Sequence, residues 1–348
     1  MTSIAFNANN PLFGVQPPRE PKLDYVRELA SVTSSIREPL VRVEAFIQEQ
    51  LASRHSEVHS LLKYVAELGG KRLRPALVLL SARAQGEIND ESIRSATAVE
   101  LVHTATLVHD DVLDNAVVRR HRPSLHCQSN VHDSILIGDW LFTQAYALVN
   151  EGESTIPGRW IARAAKEVCE GEIRQNISVN QLSLTIDDYL FMIGQKTGSL
   201  CAVSCALGAW SAGGDKKQCE AFHTFGWKLG TAFQVHDDCL DYWGSGDRLG
   251  KIIGGDFAAG KLTLPVIRLL EICSERHRPM LLNCLQTKGT EGFERVRELL
   301  DRYRVGEYCR DRTRQLSQEA IECLRASCTS PECRYLERLA ISAVEREA

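Results

Sequence analysis

The chain has 348 residues, of which 44% are hydrophobic and 25% are charged, as in a globular protein that buries a large core. Its formal net charge of -4 gives no indication of a nucleic-acid partner. No uninterrupted apolar run reaches the roughly 18 residues that would predict a transmembrane helix.

The N-terminal segment, residues 1–22, is predicted to be a flexible leader because it is rich in Asn and Pro. It lacks the apolar stretch of a secretory signal and carries no Arg before Arg19, so it does not resemble a transit peptide. We therefore expect a cytoplasmic protein in which residues 23–348 form one domain.

From Asp24 onwards, apolar side chains recur at intervals of three and four residues, as in Leu40, Val43 and Ile47, and the alternation typical of strands is scarce. This pattern predicts an all-α fold, a single large helical bundle. The predicted helices from residue 92 onwards cover 92–115, 134–150, 159–180, 187–212, 217–243, 263–275, 293–303 and 306–326.

Twelve cysteines are scattered along the chain without a Cys-x-x-Cys pair. Their spacings match neither a zinc site nor a disulfide framework. We therefore expect reduced thiols in the core and on the surface.

An acidic heptapeptide, Val-His-Asp-Asp-x-Leu-Asp, occurs twice, at 108–114 and at 235–241. On a helix each copy clusters three carboxylates, and the apolar flanking sequence makes uncompensated like charges unfavourable. Oxygen ligands of this kind favour Mg²⁺, which completes its shell with water and substrate phosphate oxygens. A solvated acidic helix face is the alternative, but two copies with matched flanks disfavour it. The candidate metal ligands are Asp110, Asp111, Asp114, Asp237, Asp238 and Asp241.

Several basic segments have compositions suited to an anionic phosphate, because glycine allows close backbone approach and Arg or Lys supplies charge. Each could also be an ordinary solvated turn, a local ion pair or a surface loop. His103 lies two helical turns before Asp110 and could donate to an anion, although a lone helical histidine is more often a packed core residue. The segments are Gly69 to Pro75 with Lys71 and Arg74, the pair Arg119 and Arg120, Gln195 to Gly198, and Gly250 to Lys261 with Lys251.

Taken in order and spacing, these motifs resemble the trans-isoprenyl diphosphate synthases, the polyprenyl synthetase family, from about Leu61 to about Ile267. The segment His103 to Val112 looks most like the long-chain members. The resemblance implies an all-α homodimer with a central elongation cavity and about three Mg²⁺ per active site. It further implies head-to-tail condensation of isopentenyl diphosphate with an allylic diphosphate (geranyl, farnesyl or geranylgeranyl) through an allylic carbocation. Product release would involve at most transient membrane contact.

The resemblance also implies roles for individual residues. The first acidic triad would hold Mg²⁺ on the allylic diphosphate, and the second would hold a further Mg²⁺ from the opposite wall. The allylic diphosphate would contact Arg119, Lys196 and Lys261. The isopentenyl diphosphate would contact Lys71, Arg74, His103 and Arg120. The polar wall would be completed by Thr197, Gln234 and Lys251.

Product length in this family depends on residues just before the first acidic motif, where short-chain members carry bulky aromatic side chains. Here those positions are Ala105 and Thr106. Thr106 lies one turn below Asp110, and Val102 lies about another turn down, so helical geometry permits an open shaft beside them. Three aromatic side chains of the next predicted helix could still cap it: Trp140, Phe142 and Tyr146.

Two positions depart from the family pattern. His121 stands in place of the glycine of the common Arg-Arg-Gly sequence, and Gly255 stands where many members have a second Asp.

Other functions therefore stay open. A short-chain geranylgeranyl diphosphate synthase or a non-catalytic regulatory subunit of a heteromeric synthase would share much of the pattern. A terpene cyclase would usually mix Asn, Ser or Thr into its second metal motif. A metal-dependent phosphohydrolase would leave Asp114 and Asp241 unexplained.

Overall fold

The structure is a computed structural model that describes residues 31–120, 122–244 and 253–345. The predicted leader at 1–22, His121 and Lys251 lie outside these ranges. Within them, the only strands are a two-residue antiparallel pair, β1 (Val118–Arg119) and β2 (Arg122–Pro123), and the rest of the regular structure is helical. The all-α prediction is confirmed.

The helices are numbered here in chain order, and a short 3₁₀ turn at Ser34–Ile36 precedes the first. A π-helical turn, Gly194–Gly198, joins α8 to α9. The helices are α1 Arg37–Gln50, α2 Ser56–Glu67, α3 Leu73–Gln85, α4 Asp90–Leu113, α5 Leu125–Gln128, α6 Val131–Asn150, α7 Ile156–Ile177, α8 Ile186–Ile193, α9 Ser199–Ser211, α10 Lys216–Trp243, α11 Gly255–Ala259, α12 Leu264–Ile272, α13 Arg278–Thr287, α14 Gly289–Arg302, α15 Val305–Arg325 and α16 Cys333–Glu345.

The two helices that carry the acidic motifs begin at capping boxes. Asn89 accepts from the Ser92 backbone N–H at the start of α4, and Asp215 accepts from the Gln218 backbone N–H at the start of α10. These caps satisfy N–H groups that the first turn leaves without intrahelical partners. The predicted bounds at 92–115 and 217–243 differ from the observed helices by at most two residues at any end.

Two buried clusters form the core. The larger packs α3, α4, α9 and α10 with parts of α6 and α7, and the smaller packs α8 and the end of α10 against α12 to α15. One stretch, Ile186–Ser211, is long and apolar enough to cross a membrane, but 78% of its most apolar window is buried inside the protein. This burial identifies the stretch as part of the protein core.

One expectation about the cysteines is wrong. Cys328 and Cys333 are joined in a disulfide across the turn between α15 and α16. Sequence spacing did not indicate this pair because the five-residue separation becomes a close approach only when the chain reverses between two helices. The other ten cysteines are free thiols, and most of them are buried.

Candidate active site

The first acidic motif occupies the last turn of α4 and is held by a cation from the following hairpin. The guanidinium of Arg119, on β1, donates from Nε to Oδ1 of Asp111 at 2.8 Å. Asp111 is only 3% exposed, and Asp114, the C-cap residue, is exposed. Arg119 thus lies beside the acidic cluster, as the sequence predicts.

The second acidic motif is tied to the first by the segment that follows it. Lys261 donates from Nζ to Oδ1 of Asp114 at 3.2 Å, which links two parts of the chain that are far apart in sequence. Asp241 accepts the backbone N–H groups of Gly255 and Asp256 at 3.1 and 3.0 Å. The turn carrying Lys261 is therefore fixed to the second motif while its lysine contacts the first.

A chain of hydrogen bonds surrounds Asp238, which is 6% exposed. Tyr189, on α8, donates its hydroxyl to Oδ2 of Asp238 at 2.6 Å, and Gln234 donates from Nε2 to Oδ1 at 2.7 Å. Thr197 in turn donates its hydroxyl to Oε1 of Gln234 at 2.9 Å. Thr197, Gln234 and Asp238 are thus joined by consecutive hydrogen bonds.

Lys196 projects from the π-helical turn towards α7. Its Nζ lies 2.5 Å from Oε2 of Glu172 and donates to Oε1 of Gln175 at 2.8 Å. The two backbones approach closely because position 171 is glycine: a Cβ there would lie 2.5 Å from the Lys196 backbone nitrogen. Gly171 therefore sets the distance between this lysine and α7.

The electrostatics of the site show an excess of buried negative charge. Burial, together with the charges of Glu172 and Asp114, raises the pKa of Asp110 to about 6, although Lys196 opposes the rise. Burial and the neighbouring charges of Asp256 and Asp237 raise the pKa of Asp238 to about 8. Such carboxylates favour either a proton or a cation.

The donor set fits hard divalent cations that a substrate helps to hold. The acidic side chains supply only oxygen, and no three of the described His, Cys, Asp and Glu side chains converge into a ready-made cage. Mg²⁺ is usually bound through one or two carboxylates, with substrate phosphates and water completing its octahedral shell. Separate carboxylates on two helices match that requirement better than they match a fully protein-bound metal.

A second, electropositive region lies beside the first motif. His103 is near Arg74, Arg120 and Arg119, and burial followed by these charges holds its pKa well below the usual range. Arg120 has a left-handed backbone, and its Nη1 atom would lie 2.9 Å from a Cβ placed on Gly70. In the described part of the chain, the buried Nε atom of Arg74 has no hydrogen-bond partner. Lys71 is exposed at the edge of this region, which we call the basic basin.

Arg72, in the middle of the same basic segment, has a structural role. It pairs with Glu44 on α1 and Glu100 on α4, each at 2.8 Å. Glu100 is 4% exposed, so this ion pair is nearly dry. Arg72 therefore clamps α1, α3 and α4 together, while its neighbours border the basic basin.

The predicted chain-length residues separate into two groups. Val102 and Ala105 have no exposed surface and belong to the larger core cluster. Thr106 is partly exposed and donates its hydroxyl to the His103 carbonyl at 2.7 Å. The three aromatic residues of α6, which pack partly buried against the core, are Trp140, Phe142 and Tyr146.

Three residues in the site were not assigned roles from the sequence. Glu172 and Gln175, both on α7, hold the Nζ atom of Lys196. Tyr189 gave no signal, because an apolar helix with one tyrosine is ordinary. The spacing of Glu172 and Gln175, one helical turn apart, was the available hint for a shared partner.

Comparison with known proteins agrees with this geometry. A family model described as Polyprenyl synthetase matches residues 55–303. An all-trans-nonaprenyl-diphosphate synthase (geranyl-diphosphate specific) of Rhodobacter capsulatus is 33% identical over 309 residues, covering 88% of this chain and 94% of that protein. A geranylgeranyl pyrophosphate synthase of Geoglobus acetivorans is 33% identical over 328 residues, covering 91% and 99%.

A solved structure extends the likeness to three dimensions. The polyprenyl synthase of Caulobacter crescentus, crystallised with calcium and isoprenyl diphosphate, is 34% identical to this chain. The two structures have a TM-score of 0.85 over 95% of this chain and all of that one. The whole helical arrangement is therefore shared.

Proposed function

Because the chain belongs to the polyprenyl synthetase family, we propose that it condenses isopentenyl diphosphate head-to-tail with an allylic diphosphate to give a medium- or long-chain all-trans polyprenyl diphosphate. The observation that carries the proposal is the contact between Lys261 and Asp114. It brings the segment after the second acidic motif onto the first, so that one site has acidic groups on two walls. Diphosphate ionisation needs such a site.

The allylic diphosphate lies between the acidic motifs, held by Arg119, Lys196 and Lys261. Each of these cations is paired with a carboxylate in the structure, namely Asp111, Glu172 and Asp114. The cations are therefore already placed along this wall before substrate arrives. Preorganised charges stabilise a leaving group without having to reorient during the reaction.

Members of this family generally depend on a divalent metal, and we assign Mg²⁺, about three ions per active site. The ligands are drawn from Asp110, Asp111 and Asp114 on α4 and from Asp237, Asp238 and Asp241 on α10. When bound, Mg²⁺ neutralises charge on the departing diphosphate.

The isopentenyl diphosphate binds in the basic basin. Arg74, His103 and Arg120 contact its phosphates, with Lys71 at the rim, and Arg72 stays in its structural ion pairs. We also assign Lys251, which lies outside the described residues, to the polar wall of the site. The allylic carbon–oxygen bond breaks with its electron pair leaving on diphosphate, the isopentenyl double bond attacks the cation, and loss of a proton restores an alkene.

Product length follows from the side chains below Asp110. A long-chain product is supported by the absence of a bulky aromatic residue at Ala105 and Thr106 and by relatives such as the nonaprenyl enzyme. The short-chain alternative is synthesis of geranylgeranyl diphosphate, because the relative from Geoglobus acetivorans is a geranylgeranyl pyrophosphate synthase. The small, partly exposed side chain of Thr106, one turn before Asp110, is further support for the longer product.

The assembly we propose is a cytoplasmic homodimer. Exposed apolar side chains lie on α6 and α7, which pack against each other, and a second copy would cover them. They are Val131, Ile135, Leu136, Ile173 and Ile177.

Incubation of purified protein with labelled isopentenyl diphosphate, farnesyl diphosphate and Mg²⁺ tests the proposed activity. We expect label to enter an acid-labile lipid product, and chelation by EDTA to abolish the incorporation. The matched variant Asp110→Asn, which removes one charge and keeps the shape, is expected to be inactive. Absence of incorporation with geranyl, farnesyl and geranylgeranyl primers would contradict the proposal and favour a non-catalytic subunit.

A further inference from the structure

Tyr189 is a completely buried tyrosine whose hydroxyl has one hydrogen-bond partner among the residues that the structure describes. Its relative exposure is 0%, and its ring packs in the smaller core cluster among apolar side chains. Its hydroxyl donates to Oδ2 of Asp238 at 2.6 Å. Packing alone would be satisfied by phenylalanine, so the hydroxyl requires another explanation.

Asp238 is hydrogen-bonded on both carboxylate oxygens. Oδ2 accepts from Tyr189 on α8, and Oδ1 accepts from Gln234, one turn earlier on α10. A nearly buried carboxylate with two well-placed donors has one preferred orientation, because rotation would leave an oxygen without a donor. Asp238 is therefore fixed to α8 at one oxygen.

The same two helices meet again at the π-helical turn. Thr197 lies in that turn, after α8, and donates to Gln234, which in turn donates to Asp238. Tyr189 and Thr197 thus anchor the two ends of one continuous helical segment, the first directly and the second through Gln234, to the same carboxylate. Lys196 is carried on this anchored segment.

We propose that Tyr189 is a positioning residue for the second acidic motif: by fixing Asp238 it sets the rotation of α10 at which the neighbouring Asp237 faces the metal and substrate. The proposal rests on the proposed function. Tyr189 does not touch substrate or metal in this account. Side chains that orient metal ligands typically change metal affinity about 10–100-fold when they are removed.

The test uses the variant Tyr189→Phe, which keeps the buried ring and removes only the hydroxyl. We expect the Mg²⁺ concentration for half-maximal activity to rise about tenfold and kcat to fall. The KM for isopentenyl diphosphate should stay unchanged, because the basic basin is built from α3, α4 and the hairpin. Tyr303→Phe is the matched control, since the hydroxyl it removes contacts Ser274 and His277 and neither acidic motif.

A second comparison separates positioning from a general loss of stability. In an Asp238→Asn background the carboxylate that Tyr189 orients is already gone, so adding Tyr189→Phe should leave Mg²⁺ binding, measured by calorimetry without turnover, unchanged. The double variant also has no buried charge without a donor, and it supplies the comparison if Tyr189→Phe alone does not fold. A large additional shift in the double variant would overturn the proposal.

Calorimetric titration of the folded protein with Mg²⁺ in the presence of inorganic diphosphate gives a readout that does not need turnover. We expect weaker Mg²⁺ binding in Tyr189→Phe than in wild type and in Tyr303→Phe. Equal binding in all three proteins would refute the positioning role. A wild-type protein that binds Mg²⁺ but incorporates no isopentenyl diphosphate would refute the proposed function instead.

Discussion

At the scale of single residues, the pKa of Asp110 connects the geometry to a measurable pH dependence. This carboxyl is held at a pKa of about 6, against 3.8 for an unperturbed aspartate, chiefly by burial. In the folded, metal-free protein it therefore keeps its proton up to about pH 6. Mg²⁺ must displace that proton, so we expect the Mg²⁺ concentration for half-maximal activity to rise as the pH falls below about 6.

The raised pKa of Asp110 also predicts how the free energy of unfolding changes with pH. The effect is opposite in sign to that of a carboxylate whose pKa is lowered by folding. Between about pH 4 and pH 6 the folded state binds more protons here than the unfolded state, so this group lowers the free energy of unfolding as the pH rises through that window. Asp110→Asn should therefore raise the melting temperature in EDTA at pH 7, and the gain should shrink below about pH 4. An equal melting temperature for the two proteins at pH 7 would contradict the burial argument.

Thr106 gives the sharpest prediction for product length. Thr106→Phe places a bulky ring on a partly exposed position one turn below Asp110, so we expect shorter products and nearly unchanged stability. Ala105→Phe is the informative comparison, because Ala105 is fully buried and a ring there would overpack the core by about 1–3 kcal/mol. Chromatography of the dephosphorylated products and thermal unfolding measure the two effects. Unchanged product length in Thr106→Phe would rule out an open shaft beside this residue.

The residue types in the site could be predicted from the sequence, but their partners could not. The segment around Arg72 has three cations at close spacing, and nothing in the pattern says that Arg72 binds Glu44 and Glu100 while Arg74 keeps a buried Nε atom without a protein partner among the described residues. That division depends on which side chains other helices bring alongside. Tyr189 was missed for the same reason, since its partner lies on another helix.

At the scale of elements, the π-helical turn matters more than any helix boundary. The sequence predicted one helix over 187–212, whereas the structure inserts the turn Gly194–Gly198 between α8 and α9. Turns of this kind are frequently found at functional sites. The spacing of apolar residues in the sequence cannot reveal this turn, because one wide turn shifts the apolar face of the helix by only a single residue. It changes the direction in which Lys196 and Thr197 project.

The approach of α7 to this turn can be tested at Gly171. A Cβ at this position would lie 2.5 Å from a backbone nitrogen, so Gly171→Ala must push α7 and the turn apart. We expect the free energy of unfolding to fall by about 1–3 kcal/mol and kcat to fall further than stability alone explains, because Lys196 moves. Gly306→Ala is the control, since its Cβ would meet only ordinary contacts at 3.4 Å or more. Wild-type kcat in Gly171→Ala, measured by isopentenyl diphosphate incorporation, would contradict the account.

At the scale of the whole molecule, the fold brings together charged residues that are far apart in the sequence. The resemblance implied that the two acidic motifs lie on opposite walls of one cavity, and in the structure the contact from Lys261 to Asp114 links their surroundings. The order of the helices could be predicted from apolar periodicity. The mutual arrangement of the helices could not be predicted. The apolar periodicity shows which face of a helix is buried, but it does not show which other helix packs there, as α6 packs on α4.

Assembly is also a property of the whole molecule. We expect the protein to sediment as a dimer, and the double substitution Ile135→Glu with Ile173→Glu to shift it towards monomer, because both side chains are exposed apolar groups on neighbouring helices. Val41→Glu is the matched control, since Val41 is 63% exposed but lies on α1. Analytical ultracentrifugation measures the change. A dimer that survives the double substitution would place the interface elsewhere.

The central claim, that this chain elongates prenyl diphosphates, is tested most directly by the length of its products. Wild-type protein would be incubated with Mg²⁺, labelled isopentenyl diphosphate and farnesyl diphosphate, and the dephosphorylated products separated against chain-length standards. We predict all-trans products longer than geranylgeranyl. Products that stop at geranylgeranyl would contradict the long-chain assignment, and cyclic hydrocarbons or no labelled lipid would contradict prenyl transfer itself.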